Sequence, residues 1–271
     1  MQAQQKVLNA HAQEPDSPTR LQESAWADWK KLVQSLRLAS ESEASALQLR
    51  QLLNECMALY RTTCLVPPAT DDLLASISGR NSSQLEAAFM WVGDWRPSSA
   101  ITLVYSKMGV CVGKCDGLAS SITPSCMLSK AQLSTMEVLR EETCRAEAEI
   151  SSSIASIQML LADQNMAEAF GIGTPPSGIQ APSSNSEAVG VQHLMDSKLA
   201  SLRTLYMQAN GLRLQTLQEL QNLLTLTQAA QCAVAAFELS YALKNLGDAS
   251  ALERRSDQSD LVRKESCEHP A

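Results

Sequence analysis

Apolar residues return every three or four positions along most of this 271-residue chain, the period that gathers side chains on one face of an α-helix. In ESAWADWKKLVQSLRL the stripe is Trp29, Leu32, Val33 and Leu36; in ASALQLRQLLNECMALYR it is Leu49, Leu52, Leu53, Met57 and Tyr60. Pro67 and Pro68 end the second helix. A short helix over residues 71–77 stops at Gly79. Ser83-Gln-Leu-Glu86 then reads as a capping box, its hydroxyl and carboxylate each satisfying an orphan amide of the helix it opens. Leu85, Ala88, Phe89 and Val92 are the expected buried face of that helix, with Gly93 as its left-handed stop. Pro97 suits the first turn of a further helix, which needs no donor there, and Ile101, Val104, Tyr105 and Met108 line its inner side up to Gly109. Two such stripes joined by Gly93-Asp-Trp-Arg96 are expected to pack as an antiparallel helical hairpin. Trp91 and Trp95 would cover the junction, a structural use ahead of a ligand-contacting one.

Beyond that corner, VCVGKCDGLASSIT within residues 110–126 is a Gly-, Ser- and Cys-rich loop. A long helix follows from about Ser129 to Ala169, with Ile150, Ile154, Ile157 and Leu161 as its seam. Residues 171–190 have the Pro, Gly and Ser content of a flexible linker. Two more helices close the pattern, the second opened by Thr225-Leu-Thr-Gln228, another capping box, and so rich in alanine that neighbours can approach it closely. The expected fold is therefore all-α: a multi-helix bundle with helical hairpins over residues 22–248. Residues 1–21 and 249–271 are polar or charged without period and are expected to be flexible tails.

Composition narrows the function. Twenty-two basic against 29 acidic residues leave a net charge of −7, which opposes the phosphate backbone that a nucleic-acid binder must neutralise. Neither a secretory apolar core nor a membrane-length apolar run is present, so an intracellular, soluble protein is expected, and its eight cysteines are expected to remain thiols. Catalytic and metal-binding patterns are missing. His11 and His269 lie in the tails, His193 has no partner at ligand spacing, and Cys111, Cys115 and Cys126 lack zinc-knuckle spacing. Gly171-Ile-Gly173 sits in the linker rather than between strand and helix, and the Glu141, Glu142 pair falls on a solvent-facing helix run. No enzyme, cofactor or metal is expected. Trp26 and Trp29 share a helix face beside Asp28 just after the tail. That face has two readings: an anchor for a partner protein, or a pair of rings docked on the bundle.

The stretch SSQLEAAFMWVGDWRPSSAITLVYSKMG resembles the signature of the plant Delay of Germination (DOG) domain, also found behind the leucine zipper of TGA-type bZIP transcription factors. That signature runs through an acidic residue, an aromatic, Trp-x-Gly-x-aromatic-Arg-Pro-Ser and an apolar helix ending in a tyrosine segment. Glu86, Phe89, Trp91, Gly93, Trp95, Arg96, Pro97, Ser98 and Tyr105 hold those places. LSKAQL resembles the start of the family's long helix, LRLQTL and LTLTQA resemble its closing helices, and SAWADWKKL its opening. The resemblance implies a helical regulatory domain without catalytic activity, located in nucleus and cytoplasm. It implies a role in dormancy and abscisic-acid signalling, with clade A type-2C protein phosphatases as partners and Trp26, Asp28 and Trp29 as contacts. For bZIP relatives it implies a transcriptional regulatory module. Ser24 and Ala25 stand where the dormancy member is more acidic. The haem-binding dormancy member has two histidines on its last helix where this chain has Ser240 and Lys244, neither of which replaces an imidazole as haem ligand. With no basic region or zipper heptads in the residues before 22, direct nucleic-acid binding is not expected.

Overall fold

Eight helices and one minimal β-hairpin make up the residues that the computed structural model describes, 18–42, 45–63, 73–78, 83–108, 127–161 and 185–267. In chain order they are α1 (Pro18–Glu41), α2 (Ala46–Thr63), α3 (Leu73–Ile77), α4 (Gln84–Phe89), β1 (Met90–Trp91), β2 (Asp94–Trp95), α5 (Pro97–Met108), α6 (Lys130–Leu161), α7 (Asn185–Leu223) and α8 (Leu226–Cys267). The architecture is all-α, as the periodicity predicts.

The apolar stripes become the core. Val33 and Leu36 of α1, Leu49 and Leu53 of α2, and Ile101, Val104 and Met108 of α5 are buried together with Met136 of α6, Leu220 and Leu224 at the end of α7, and Ala229, Ala230 and Val234 of α8. Small side chains let α8 sit at the centre, against α1, α2, α4, α5 and α7. A second cluster joins Leu73 of α3, Trp91 and Val92, Ile150 and Ile157 of α6, and Leu202, Tyr206 and Ala209 of α7. Helices α6 and α7 run antiparallel: Ile157 meets the Leu202 end, while Gln132 at the other end donates to the Leu223 carbonyl at 3.0 Å.

Both capping boxes form. Ser83 Oγ accepts from the Glu86 N–H while the Glu86 carboxylate accepts from the Ser83 N–H, and Thr225 and Gln228 do the same at the head of α8. A third box, Ser129 with Gln132, opens α6. The Gln132 and Gln228 side chains then bond to each other: Gln132 Nε2 donates to Gln228 Oε1 at 2.9 Å, and Gln228 Nε2 donates to the Met127 carbonyl at 3.0 Å. Two helix starts, about a hundred residues apart in sequence, are tied by one pair of amides.

The structure departs from the sequence reading in several places. The expected helix-to-helix corner is a β-hairpin: α4 stops at Phe89, Met90 pairs with Trp95 and Trp91 with Asp94, and Val92-Gly93 forms the turn. Both turn residues have positive φ, 49° and 85°, the requirement of a type I′ turn, whose twist matches two antiparallel strands. Gly93 thus is left-handed, but as a turn residue rather than a helix stop. Phe89 is 60% exposed and Ala88 is exposed, so the expected buried face of α4 is wrong at those positions; Leu85 is half-buried, and Val92 is buried as expected but from the turn, the helix being over after six residues. At the chain ends, α1 starts at Pro18, α7 starts at Asn185 inside the expected linker, and α8 continues to Cys267 through the expected tail. The loop 110–126 and residues 162–184 lie outside the described residues.

Candidate functional site

The hairpin is held from both sides by buried polar groups. Arg213 of α7, with no exposed surface, donates from Nε to the Trp95 carbonyl at 2.8 Å, from Nη2 to the Trp91 and Val92 carbonyls, and from Nη1 to Asn210 Oδ1 at 2.6 Å. Its planar fork therefore satisfies three hairpin carbonyls at once, which a lysine ammonium on a flexible stem does not reproduce. Its guanidinium also lies 5.5 Å from the Trp91 ring centre, and Arg96 lies at 5.8 Å. From α6, the buried Glu147 carboxylate accepts the Ser98 N–H at 2.6 Å and the Ser98 hydroxyl at 3.0 Å, and pairs with Arg96 at 3.8 Å. It caps α5 from another helix, where the helix dipole favours negative charge. One turn later Ser151 accepts from the Trp91 indole N–H at 2.9 Å.

This accounts for Trp-x-Gly-x-aromatic-Arg-Pro-Ser at the level of atoms. Trp91 fills the second core cluster and bonds α6. Gly93 is required by its φ and because a Cβ there would sit 2.8 Å from the Ser76 carbonyl oxygen and 2.8 Å from the Tyr206 ring. Trp95 packs on Tyr60 with ring centres 6.2 Å apart; Arg96 and Ser98 engage Glu147, and Pro97 is buried at the helix start. Glu86 belongs to the capping box, Tyr105 is half-buried against the main core, and Phe89 faces solvent. Asp94 is the chemically uncomfortable member. Burial holds its carboxyl above the ordinary value of 3.8, the Arg213 charge, its own bond from the Trp95 N–H and the Tyr60 hydroxyl only partly opposing the loss of water. Sequence reasoning did not single out Arg213, Asn210, Glu147 or Ser151; their one sequence signal is that Arg213 and Glu147 fall in the helix segments that carry the family resemblance.

The N-terminal face takes the docked arrangement. Trp26 lies against Phe237 and Tyr241 of α8, ring centres 5.7 and 6.4 Å away, and those two rings stack on each other at 6.0 Å with Lys30 above Tyr241. Trp29 packs on the main core. Asp28 is exposed and pairs with Lys31 at 3.8 Å. Trp26 and Trp29 are half-buried and Tyr241 is exposed, so α1 and α8 together present a partly open aromatic face bordered by Asp28.

Little else offers chemistry. Among the described residues no three His, Cys, Asp or Glu side chains stand where they could share a metal, and no helix is long and apolar enough to cross a membrane. Ser240 is exposed, and Lys244 pairs with Asp248 at 3.7 Å. His193 is exposed on α7, and Glu141 and Glu142 are exposed on α6. Cys56 and Cys232 are buried, and desolvation pushes both thiols up to about 12. Cys111, Cys115, Cys126, His11, His269, Gly171 and Gly173 lie outside the described residues. A polar groove of about 400 Å³ between α2 and α7 is lined by residues including Asn54, Arg61 and Glu219, and is open to solvent.

Residues 32–106 match the family model described as seed dormancy control, DOG1. Over that span the chain is similar to the DOG family. The matched span holds the C-terminal part of α1, all of α2 and the whole hairpin corner; Glu147, Ser151 and Arg213 brace that corner from beyond it. Curated relatives align over more of the chain. It is 26% identical over 230 residues to transcription factor TGA10 of Arabidopsis thaliana, covering 84% of this chain and 45% of that protein. It is 28% identical over 227 residues to the TGACG-sequence-specific DNA-binding protein TGA-2.1 of Nicotiana tabacum, covering 82% and 44%. It is 28% identical over 218 residues to Arabidopsis transcription factor TGA2, covering 78% and 58%. The chain thus spans less than half the length of the first two of these plant transcription factors.

Proposed function

We propose that this chain is a non-catalytic regulatory module that works by stoichiometric protein–protein binding in the nucleus, in the control of transcription, with bZIP-type factors as its partners. The observation that carries this reading is the division of labour between its two aromatic sites. The signature corner is consumed by internal bonds: Arg213 and Glu147 take the polar groups of the hairpin, and Trp91 is buried. The α1–α8 face keeps Trp26 and Tyr241 partly open, with Asp28 beside them, in the pattern of aromatic anchors at protein interfaces. The likeness to TGA factors supports the transcriptional setting. The family's description, seed dormancy control, supports a finer second reading in which the same face meets clade A type-2C phosphatases in abscisic-acid signalling.

Affinity capture with the full chain tests the surface. Asp28→Lys changes an exposed side chain and leaves the core untouched, while Trp26→Ala with Trp29→Ala removes the rings. Both are expected to lose the partner that the wild type retains, and equal recovery by all three defeats the proposed face. Which reading holds is decided by whether the captured protein is a bZIP factor or a phosphatase. A mobility-shift titration against salt separates partner-mediated from direct DNA contact, because phosphate contacts weaken steeply as salt rises; with a net charge of −7, no shift is expected from the chain alone.

A further inference from the structure

Helices α2 and α7 both press into the main core, α2 through Leu49, Leu53 and Cys56 and α7 through Leu220 and Leu224, yet they scarcely touch each other. The gap between them is the groove of about 400 Å³, within the size range of small-molecule sites. Its walls are therefore set by the core rather than by what lies between them. Asn54, Met57 and Arg61, spaced three and four apart, line the α2 side, and Gln218 and Asn222, four apart, line the α7 side. At one end Gln221 Nε2 donates to Asn54 Oδ1 at 3.2 Å. Toward the C-terminal end of α2, Tyr60 packs on Trp95, whose carbonyl accepts from Arg213. The two helices thus run in opposite directions, which places Arg61 beyond Gln218. Arg61 and Glu219 both line this groove. Among the described residues neither charge has an ion-pair partner, and neither the Gln218 nor the Asn222 side-chain amide has a hydrogen-bond partner.

We propose that the α2–α7 groove binds a small zwitterion that carries an amide: a free α-amino acid or a short peptide with both ends free. Arg61 takes the carboxylate, whose two oxygens its planar fork matches, and Glu219 takes the ammonium. The side-chain amides, each a donor and an acceptor, pair with the amide of the ligand, and half-buried Met57 supplies apolar contact. A simple anion would meet Glu219 and a simple cation would meet Arg61, so like charge opposes both. An apolar ligand would strip water from the amides and return no bonds. A ligand with both charges and an amide answers all of these groups. It also bridges α2 and α7, so it stabilises the folded chain by mass action.

Calorimetric titration of the full chain with L-glutamine and with glycyl-L-glutamine tests this, the first standing for a free amino acid and the second for a short peptide. At least one is expected to bind. The tighter of the two is then compared with its N-acetyl form, which lacks the ammonium, and with its C-terminal amide, which lacks the carboxylate. Each capped form is expected to bind about tenfold more weakly. Arg61→Gln is expected to bind the zwitterion and its C-terminal amide alike, and Glu219→Gln to bind the zwitterion and its N-acetyl form alike. Both positions are exposed, so both variants are expected to melt at the wild-type temperature without ligand. No binding of either probe, capped forms that bind as well as the free ones, or variants that keep the wild-type preference each overturn the proposal. The groove shares no residue with the Trp26 face, so this outcome and that of partner capture are read separately.

Discussion

Arg213 illustrates how much one side chain can decide. Removing it leaves the Trp91, Val92 and Trp95 carbonyls without their donor in a buried site, and a buried polar group stripped of its partner costs far more than the bond is worth in water. Arg213→Met is expected to lower unfolding free energy by about 3 to 5 kcal/mol in chemical denaturation, and Arg213→Lys to recover little of it. Asp94 works the other way. Its carboxyl titrates above 3.8 in the folded chain, so the folded state binds the proton more tightly than the unfolded one. That contribution to stability is full below the ordinary value and is lost as pH rises through the folded value. Asp94→Asn is therefore expected to melt higher than wild type at neutral pH, with the gap closing as pH falls toward 3.8. A gap that widens on acidification would mean that the Arg213 charge outweighs the loss of water. The Cys56 and Cys232 thiols, pushed up to about 12, are expected to resist alkylation in the native protein at neutral pH and to react on unfolding.

Helix starts are where the elements are joined. Gly247 of α8 lies against the head of α4 so closely that a Cβ would fall 1.9 Å from Ser83 Oγ and 2.5 Å from its Cβ. Gly247→Ala is expected to push the two helices apart and break the capping box, a loss of about 1 to 3 kcal/mol visible in thermal melting. Gln132→Ala, Gln228→Ala and the double variant form a cycle whose coupling is expected at about 0.5 to 3 kcal/mol. At this scale legibility follows distance along the chain. The boxes Ser83–Glu86 and Thr225–Gln228 were readable because both partners lie within one turn. The stripe Ile101, Val104, Met108 was readable because its period is long enough to count. The hairpin was not: two residues per strand carry no period, and Val92, a β-branched residue, is driven to positive φ against a cost of about 1 to 2 kcal/mol that only its burial and its tie to Arg213 offset.

In the whole molecule, the sequence disclosed the class of fold and the corner's importance but not what braces it. Glu147 lies 49 residues from Ser98 and Arg213 lies 118 from Trp95, and a buried charged residue on an amphipathic helix looks like any surface position until the partner helix is in place. Likewise Trp26 was legible as an aromatic near one end of the chain, whereas its plate of Phe237 and Tyr241 comes from the other end. The central place of α8 carries a consequence for biosynthesis. Five helices that precede it find their common neighbour only in residues synthesised after position 225. A nascent chain still holding α8 in the ribosomal tunnel has its greasy faces uncovered, so chaperone occupancy should drop sharply only once that rod emerges.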